Sequence, residues 1–592
     1  MKAGIEVHQR LDTEKLFCAC SSRVDESEAP CMKVVRRLHP VFSELGEVDA
    51  ASQAEFAKGR AFEYHVFRSN NCLVELDEEP PGTMNSDALG IGLQIALALN
   101  AKPVGEVQVM RKMVIDGSNT SGFQRTAVIA MGGHLDTSRG TVGIPLIAIE
   151  EESAGIVQDG GKSSFRLDRL GIPLIEISTS PDIKDGAHLA EVAEKIGMLL
   201  RSTGKVARGL GTIRQDVNVS TEGGARVEIK GAQDLKMLAE IVANEEKRQT
   251  ALVGILAELR SRKALPAKKH MADVSGVFSP VTGSKLIDAG LKAGSAVMGL
   301  RLAGHKDILG REIQPGRRYG TELSDYAKRA GVKGIIHSDE SMEKYSISPQ
   351  EEGKVRELLS LGPDDAFVLV VAPKEQAEKA LGFVLERANM DFVPAETRRA
   401  NPDGTSTYMR PLPGRARLYP ETDVPPILIT QEMLERVERT ESLEDRKARL
   451  EKLLNKEMAG RMLKSRHLHL FERLVEKGTE PMLAAATIED TVVALRREGV
   501  QFSDLDKALT ELFDEYKRGS FVKAAIPEVL KGMAKGARAD AVLKVFRLQK
   551  ITGPALGKLV AESGYDMKAV MQKYRLQVDA AEVAALLKGR KK

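Results

Sequence analysis

Polar and apolar positions alternate with a period of two at several places in the first 230 residues, and with a helical period elsewhere. Gly4-Ile-Glu-Val-His-Gln-Arg10 puts Ile5 and Val7 on one side of a pleat and Glu6 and His8 on the other. Two short apolar runs, Ile144–Ile149 and Ile172–Ile177, have the length of buried strands rather than of membrane spans. The first ends in Glu150, Glu151 and Glu152; the second carries Glu176 between Ile175 and Ile177. Val107–Ile115 predicts a strand that exposes Arg111 and Lys112 ahead of a polar loop. Ile213–Lys230 predicts a hairpin turning at Thr221–Gly224, where glycine accepts positive φ. Its polar face carries Arg214, Asp216 and Asn218 on one strand and Arg226, Glu228 and Lys230 on the other. Helical spacing predicts helices over Asn85–Asn100, Leu235–Lys263 and Glu375–Glu386, and throughout the chain beyond Thr430.

These elements predict a multidomain α+β protein, and 592 residues are too many for one core. A mixed-sheet domain over 1–265 resumes at 396–430, interrupted by a glycine-rich α+β module at 266–395. A helical domain at 431–498 and a helical tail at 499–592 follow. The net charge is only +3, so a surface for nucleic acid must be local. The tail holds eighteen Lys and Arg against eleven Asp and Glu, the composition of a surface following a phosphate backbone. There is no apolar run of membrane length and no signal-peptide pattern, and four cysteines do not make a disulfide scaffold, which points to the cytosol. Cys18, Cys20, Cys31 and Cys72 lack a C-x-x-C pair, so free thiols fit the spacing better than a zinc site.

Acids ending apolar strands beside arginines suit a hard cation such as Mg²⁺ with phosphate bound to it. For Glu6 and His8 alone, the wet face of an edge strand is the better account of the pattern; Glu151 and Glu176 shift the balance toward a site if the fold brings the three segments together. The loop Asp116-Gly-Ser-Asn119 reads either as an anion-binding nest or as a plain turn. Arg166 and Asp168 lie between the two apolar runs. Arg410, Arg415, Arg417, Glu421 and Asp423 form either a contact surface for nucleotide or nucleic acid, or a rigid charged loop. No GxxxxGK[ST] string is present, which argues against a P-loop kinase.

Ile5-Glu-Val-His8, Glu150-Glu-Glu152, Leu167–Ile177 and Ser180-Pro-Asp-Ile183 resemble the B/E subunit family of tRNA-dependent amidotransferases. Val114–Gln124 and Gly209–Asp216 resemble its archaeal E branch. The resemblance implies a catalytic cradle domain that uses ATP and Mg²⁺ to phosphorylate the γ-carboxylate of glutamate on tRNA(Gln), after which ammonia displaces the phosphate. It implies metal ligands at Glu6, His8, Glu151 and Glu176, with Glu150 the alternative to Glu151 in the acidic run. Arg111, Lys112, Asp116, Asn119, Arg166, Asp168, Arg214, Asp216, Asn218, Glu228, Lys230 and Arg410 are the expected contacts to nucleotide and substrate. The module at 266–395 resembles the insertion domain of bacterial aspartyl-tRNA synthetases. No amidase-like nucleophile is visible, so the resemblance implies a hetero-oligomer with an asparaginase-like D subunit as ammonia source. A tRNA-binding scaffold without catalysis, or a metal-dependent hydrolase, would account for fewer of these features.

Overall fold

The computed structural model describes residues 1–42, 46–159, 162–278, 283–412, 414, 417–438 and 441–589. The chain divides into two compact units, Met1–Thr440 and Glu441–Lys592.

The first unit is built on an eleven-stranded mixed sheet. Ten of its strands are β1 (Lys2–Arg10), β2 (Val109–Met113), β3 (Phe123–Thr137), β4 (Gly140–Glu151), β5 (Pro173–Ser178), β6 (Ile213–Ser220), β7 (Val227–Lys230), β8 (Glu396–Ala400), β9 (Ser406–Pro411) and β10 (Leu418–Pro420). Their order is β9-β8-β7-β6-β1-β5-β4-β3-β2-β10, and Lys102–Pro103 pairs with β3. Every pair in it is antiparallel except β7 with β8. The segment returning at Glu396 therefore supplies both ends of the sheet. From Pro411 to Leu418 the chain can span at most about 25 Å. Ten strands laid flat would put those ends about 43 Å apart. The sheet must curl.

The period-two alternation decides which face is apolar. Ile5, Val7, Ile147, Ile149, Ile175, Ile177, Val217 and Val219 are buried. They lie on the face packed by α1 (Ser86–Ala98), α2 (Gly186–Ser202) and α3 (Leu235–Ser261). Asn85, Asp185 and Asp234 cap the three helices with side-chain oxygens that accept backbone N–H groups. At Gly186 a Cβ would stand 2.3 Å from the Cα of Ala239, so only glycine lets α2 meet α3 this closely. A second sheet, Met32–Arg36, Phe62–Val66, Lys162–Arg166 and Gly155–Asp159 in spatial order, encloses Phe62, Tyr64, Phe165 and Leu167.

Between α3 and β8 the chain forms a four-stranded sheet of Met271–Asp273, Ala296–Leu302, Ala366–Ala372 and Ile336–His337, with a core on each face. Leu252, Ile255, Leu256 and Leu259 of α3 belong to one of these cores. The boundary expected at 265 therefore lies inside a packed unit, because one 27-residue helix serves both cores. A buried ionic network joins the parts. Arg248 of α3 meets Glu245 at 2.9 Å and Glu322 at 2.6 Å; Arg387 and Arg398 each reach Glu322 at 3.3 Å; Arg398 also pairs with Glu396.

The second unit is helical. One core runs from Leu450 to Leu548, and a smaller one gathers Leu556, Val560, Val570, Val578 and Val583. The division expected at 499 falls within the larger core, since Leu468, Phe471 and Leu495 pack with Leu509, Phe513 and Leu530. The division expected at 430/431 also shifts, because Gln431–Arg436 belongs to the first unit.

Candidate metal centre

Residues opposite one another on antiparallel strands share a face, so the register places the polar side chains directly. His8 lies opposite Glu176 and Arg214, and Glu6 opposite Asp216. Glu150 lies opposite Leu174, two residues from Glu176. His8 Nε2 stands 3.5 Å from Glu150 Oε1 and 3.8 Å from Glu176 Oε2. Lys112 Nζ is 2.8 Å from Glu150 and 3.7 Å from Glu176. Burial alone would raise the Glu150 carboxyl, but Lys112 and His8 bring it down to about 2. Lys112 is raised by Glu150 and Glu176 in spite of its own burial.

A second acid group adjoins the first. Ligand atoms of Glu6, Asp216 and Glu228 lie within 4.8 Å of one another, as do those of His8, Glu150 and Glu176. Lys230 Nζ bridges Asp216 at 2.7 Å and Glu228 at 2.5 Å, and Asn218 donates to Glu6 at 3.0 Å. Burial, followed by the charges of Glu176 and Glu228, pushes the Glu6 carboxyl up to about 7. Asp216 moves the other way despite its burial, held down by Lys230 and His8. Five carboxylates thus face two lysines across one patch of sheet. Oxygen donors with an imidazole and an excess of buried negative charge suit a hard divalent cation.

The expected ligand set divides in the structure. Glu6 stands with the second group rather than beside His8. Glu151 stands on the helix-covered face, with Ile147 and Ile149. There it accepts the backbone N–H of Arg125 at 3.0 Å and lines a small cavity with Lys15, Cys18, Glu75 and Asn119. Consecutive strand residues point to opposite faces, so one of Glu150 and Glu151 had to leave the cluster. The apolar pair Ile147 and Ile149 is the sequence signal that assigns the dry face to Glu151.

Arg111 diverges from Lys112 for the same reason: it donates to the Pro420 carbonyl at 3.1 Å and lies over the Phe123 ring. Asp116 accepts from Ser118 within its own loop at 2.6 Å and lies 4.0 Å from Arg410. Arg166 pairs with buried Asp168 and stacks on Phe67 beside the small sheet, apart from the two acid groups. Arg415 lies outside the described residues. Arg417 donates to the Met113 carbonyl at 2.9 Å, and burial together with Arg410 pushes its pKa down. Residues to which the sequence by itself assigns no role are Arg10, Glu152 and Arg169. The first two follow from the same spacing, Arg10 two residues past His8 and Glu152 two past Glu150.

Three of the four thiols stand closer together than their spacing implies. Ligand atoms of Cys18, Cys20, Cys72 and Glu75 lie within 4.8 Å of one another, while Cys31 is exposed. The fold brings Cys72 to the C-x-C pair from more than fifty positions away. Burial and Glu75 push the Cys18 thiol up.

Residues 1–435 match the model of the GatB/GatE catalytic domain. Over 546 residues, covering 90% of this chain and 86% of the relative, it is 47% identical to the E subunit of glutamyl-tRNA(Gln) amidotransferase from Pyrococcus furiosus. It is 44% identical over 607 positions to the E subunit of Archaeoglobus fulgidus, covering 99% of this chain and 97% of the relative. The Methanocaldococcus jannaschii E subunit is 44% identical over 574 residues, with 95% and 91% covered. A matched domain that takes in both acid groups and the returning strands, with likeness continuing through the helical unit, leaves one assignment: the chain belongs to the GatB/GatE family.

Proposed function

We propose that this chain is the ATP-dependent component of a tRNA-dependent amidotransferase, acting on glutamate esterified to tRNA(Gln). The γ-carboxylate of that glutamate attacks the terminal phosphorus of ATP, releasing ADP and leaving an acyl phosphate. Ammonia then displaces phosphate and leaves the amide. The observation that carries this reading is the pair of adjoining acid groups, His8/Glu150/Glu176 and Glu6/Asp216/Glu228, on one face of a curled sheet. His8, Glu150 and Glu176 would hold Mg²⁺, which when bound screens the charge between the two anionic reactants. Lys112 and Lys230, each fixed between two carboxylates, keep a positive charge aimed at the same face. Ammonia comes from a partner, an asparaginase-like D subunit in our reading, and the helical unit holds the tRNA body. No described helix is long and apolar enough to cross a membrane. The test is transfer of label from γ-labelled ATP to Glu-tRNA(Gln) by the full chain, followed by amidation with ammonium chloride. Absence of transfer under saturating Mg²⁺ overturns the catalytic reading in favour of a scaffold.

Glu6 makes that activity pH-dependent in a stated direction. Its folded pKa of about 7 lies above the ordinary 4.5. The folded state therefore holds this proton more tightly than the unfolded state, and stability falls as pH rises from about 4.5 toward about 7. Cation binding runs the opposite way, because an ionised Glu6 adds negative charge beside Glu176, one of the residues that would hold the cation. Mg²⁺ affinity measured by calorimetry is expected to rise between pH 6 and 8, roughly the window around that pKa. Glu6→Gln is expected to flatten the rise; an unchanged slope would exclude Glu6 from the titration.

The tRNA assignment rests on the tail, and the fold determines where to cut it. Removal from Gly499 onward would open the core of the second unit, whereas removal of 550–592 takes away the smaller cluster. That segment carries nine Lys and Arg against four Asp and Glu. Its loss is expected to weaken tRNA binding and to flatten the log–log salt dependence by roughly 0.7–0.9 for each phosphate no longer neutralised. Unchanged affinity and slope in filter binding would make the tail an ordinary solvated surface.

A further inference from the structure

Building on that reading of the site, we propose that Arg10, Arg169 and Arg214 form a phosphate cradle, organised by Glu152, that holds the polyphosphate of the nucleotide. Glu152 follows the last residue of β4, with its side chain wholly buried. Arg10 Nη2 donates to its Oε1 at 2.8 Å, Arg169 Nη2 donates to the same oxygen, and Arg214 Nη2 stands 3.4 Å away. Arg10 also meets the other carboxylate oxygen through Nε. One carboxylate thus faces three guanidinium groups and leaves two positive charges without a counter-charge in the group. Each guanidinium has five N–H donors, and Glu152 occupies only a few of them. Arg169 Nε is buried and makes no hydrogen bond among the described residues. The side chains of Arg169 and Arg214 remain 31% and 35% exposed, so the set can be reached from solvent.

Position argues for the ligand. Arg10 lies two residues beyond His8 on one strand, and Arg214 is the register partner of His8 on the next. Both are on the polar face, about 7 Å or less along the strand from the acid groups. The face therefore runs from carboxylates to arginines, the order needed where a cation and the phosphates it bridges lie side by side. A nucleotide places several negative charges within a few bonds, which matches two uncompensated charges at one point. A sugar–phosphate backbone presents one charge per nucleotide along an extended line, and suits a stripe rather than a cluster. Gly155 helps to build the set: a Cβ there would stand 2.9 Å from Arg169 Cδ and push that arm aside. Glu152 is a positioning residue, since it holds the three arms convergent against their mutual repulsion.

The test is calorimetric titration of the full chain with ATP in Mg²⁺, alongside tRNA binding at two salt concentrations. Arg169→Ala and Arg214→Ala are each expected to weaken ATP binding by about tenfold or more, the loss expected of charge-assisted hydrogen bonds, with tRNA affinity unchanged. Arg169 sits in a turn, so its variant keeps the test available if Arg214→Ala fails to fold. Glu152→Gln is expected to weaken ATP binding although it removes no donor to phosphate. Variants that bind ATP as the parent does overturn the cradle, and a reduced tRNA salt slope in them would assign the arginines to the nucleic acid. A parent chain that binds no nucleotide in Mg²⁺ overturns the proposed function itself, and with it the cradle, before any variant is made.

Discussion

Glu176→Gln and Glu150→Gln are each expected to lower phosphate transfer from ATP by about two to three orders of magnitude, the scale on which a preorganised electrostatic group contributes to a reaction. Each change keeps side-chain volume and removes one negative charge, so packing in the sheet persists while the cation loses a ligand. The cost falls on a site already balanced by opposite charges. Glu150 is held near pKa 2 by Lys112 and His8, and it remains anionic under all ordinary conditions. With a glutamine there, Lys112 keeps only its 3.7 Å approach to Glu176, and its ammonium competes more strongly for that remaining acid. Mg²⁺ affinity by calorimetry should fall together with turnover. The decisive comparison is Glu151→Gln, one residue away on the opposite face: its Mg²⁺ affinity is expected to equal that of the parent chain. A fall in Mg²⁺ affinity for Glu151→Gln, with no fall for Glu150→Gln, would reverse the assignment.

Glu322→Ala is expected to destabilise the first unit by about 3–5 kcal/mol, the penalty of breaking a buried ion pair from one side. Glu322 is the hub of the network, touched by Arg248, Arg387 and Arg398, none of whose side chains is more than 1% exposed. Three guanidinium groups and the carboxylates of Glu245, Glu322 and Glu396 balance in formal charge; removal of Glu322 leaves an extra positive charge without water. Burial would raise its carboxyl, but the three arginines hold it well below the ordinary range. Its contribution to stability is therefore full above about pH 4.5, declines progressively as pH falls below that, and is gone once pH passes the depressed folded value. At Glu396 burial outweighs the arginines, and that carboxyl is raised. Thermal or urea unfolding of the full chain reads the effect, in the transition of the first unit. Arg473–Asp506 is the control: at 2.5 Å it is at least as close as Arg248 and Glu322 at 2.6 Å, yet 59% and 53% exposed, and its removal should leave unfolding unchanged. Equal effects from the two sites would show that burial does not govern these pairs.

The local parts of this architecture were legible along the chain. Period-two alternation placed Glu6 with His8, and Arg214 with Asp216 and Asn218, each set on one face of its strand. The same rule separates Glu150 from Glu151 and Lys112 from Arg111, and it includes Arg10 and Glu152, to which the resemblance to known relatives assigns no role. Helical spacing located α1 and α3 to within two residues at each end, because capping and propensity act over one turn.

Which strands became neighbours was decided only by the tertiary structure. Glu6 lies more than two hundred positions from Asp216 and Glu228, and nothing in a local pattern states that β1 is inserted between β5 and β6. The same holds for Cys72 beside Cys18, for the return of β8 to β7, and for the core that passes through position 499. Alternation specifies a face and leaves the partner open, since any apolar face can bury against any other of similar width. Pairing follows from the whole set of faces being buried at once with their hydrogen bonds satisfied, a condition that no single segment carries.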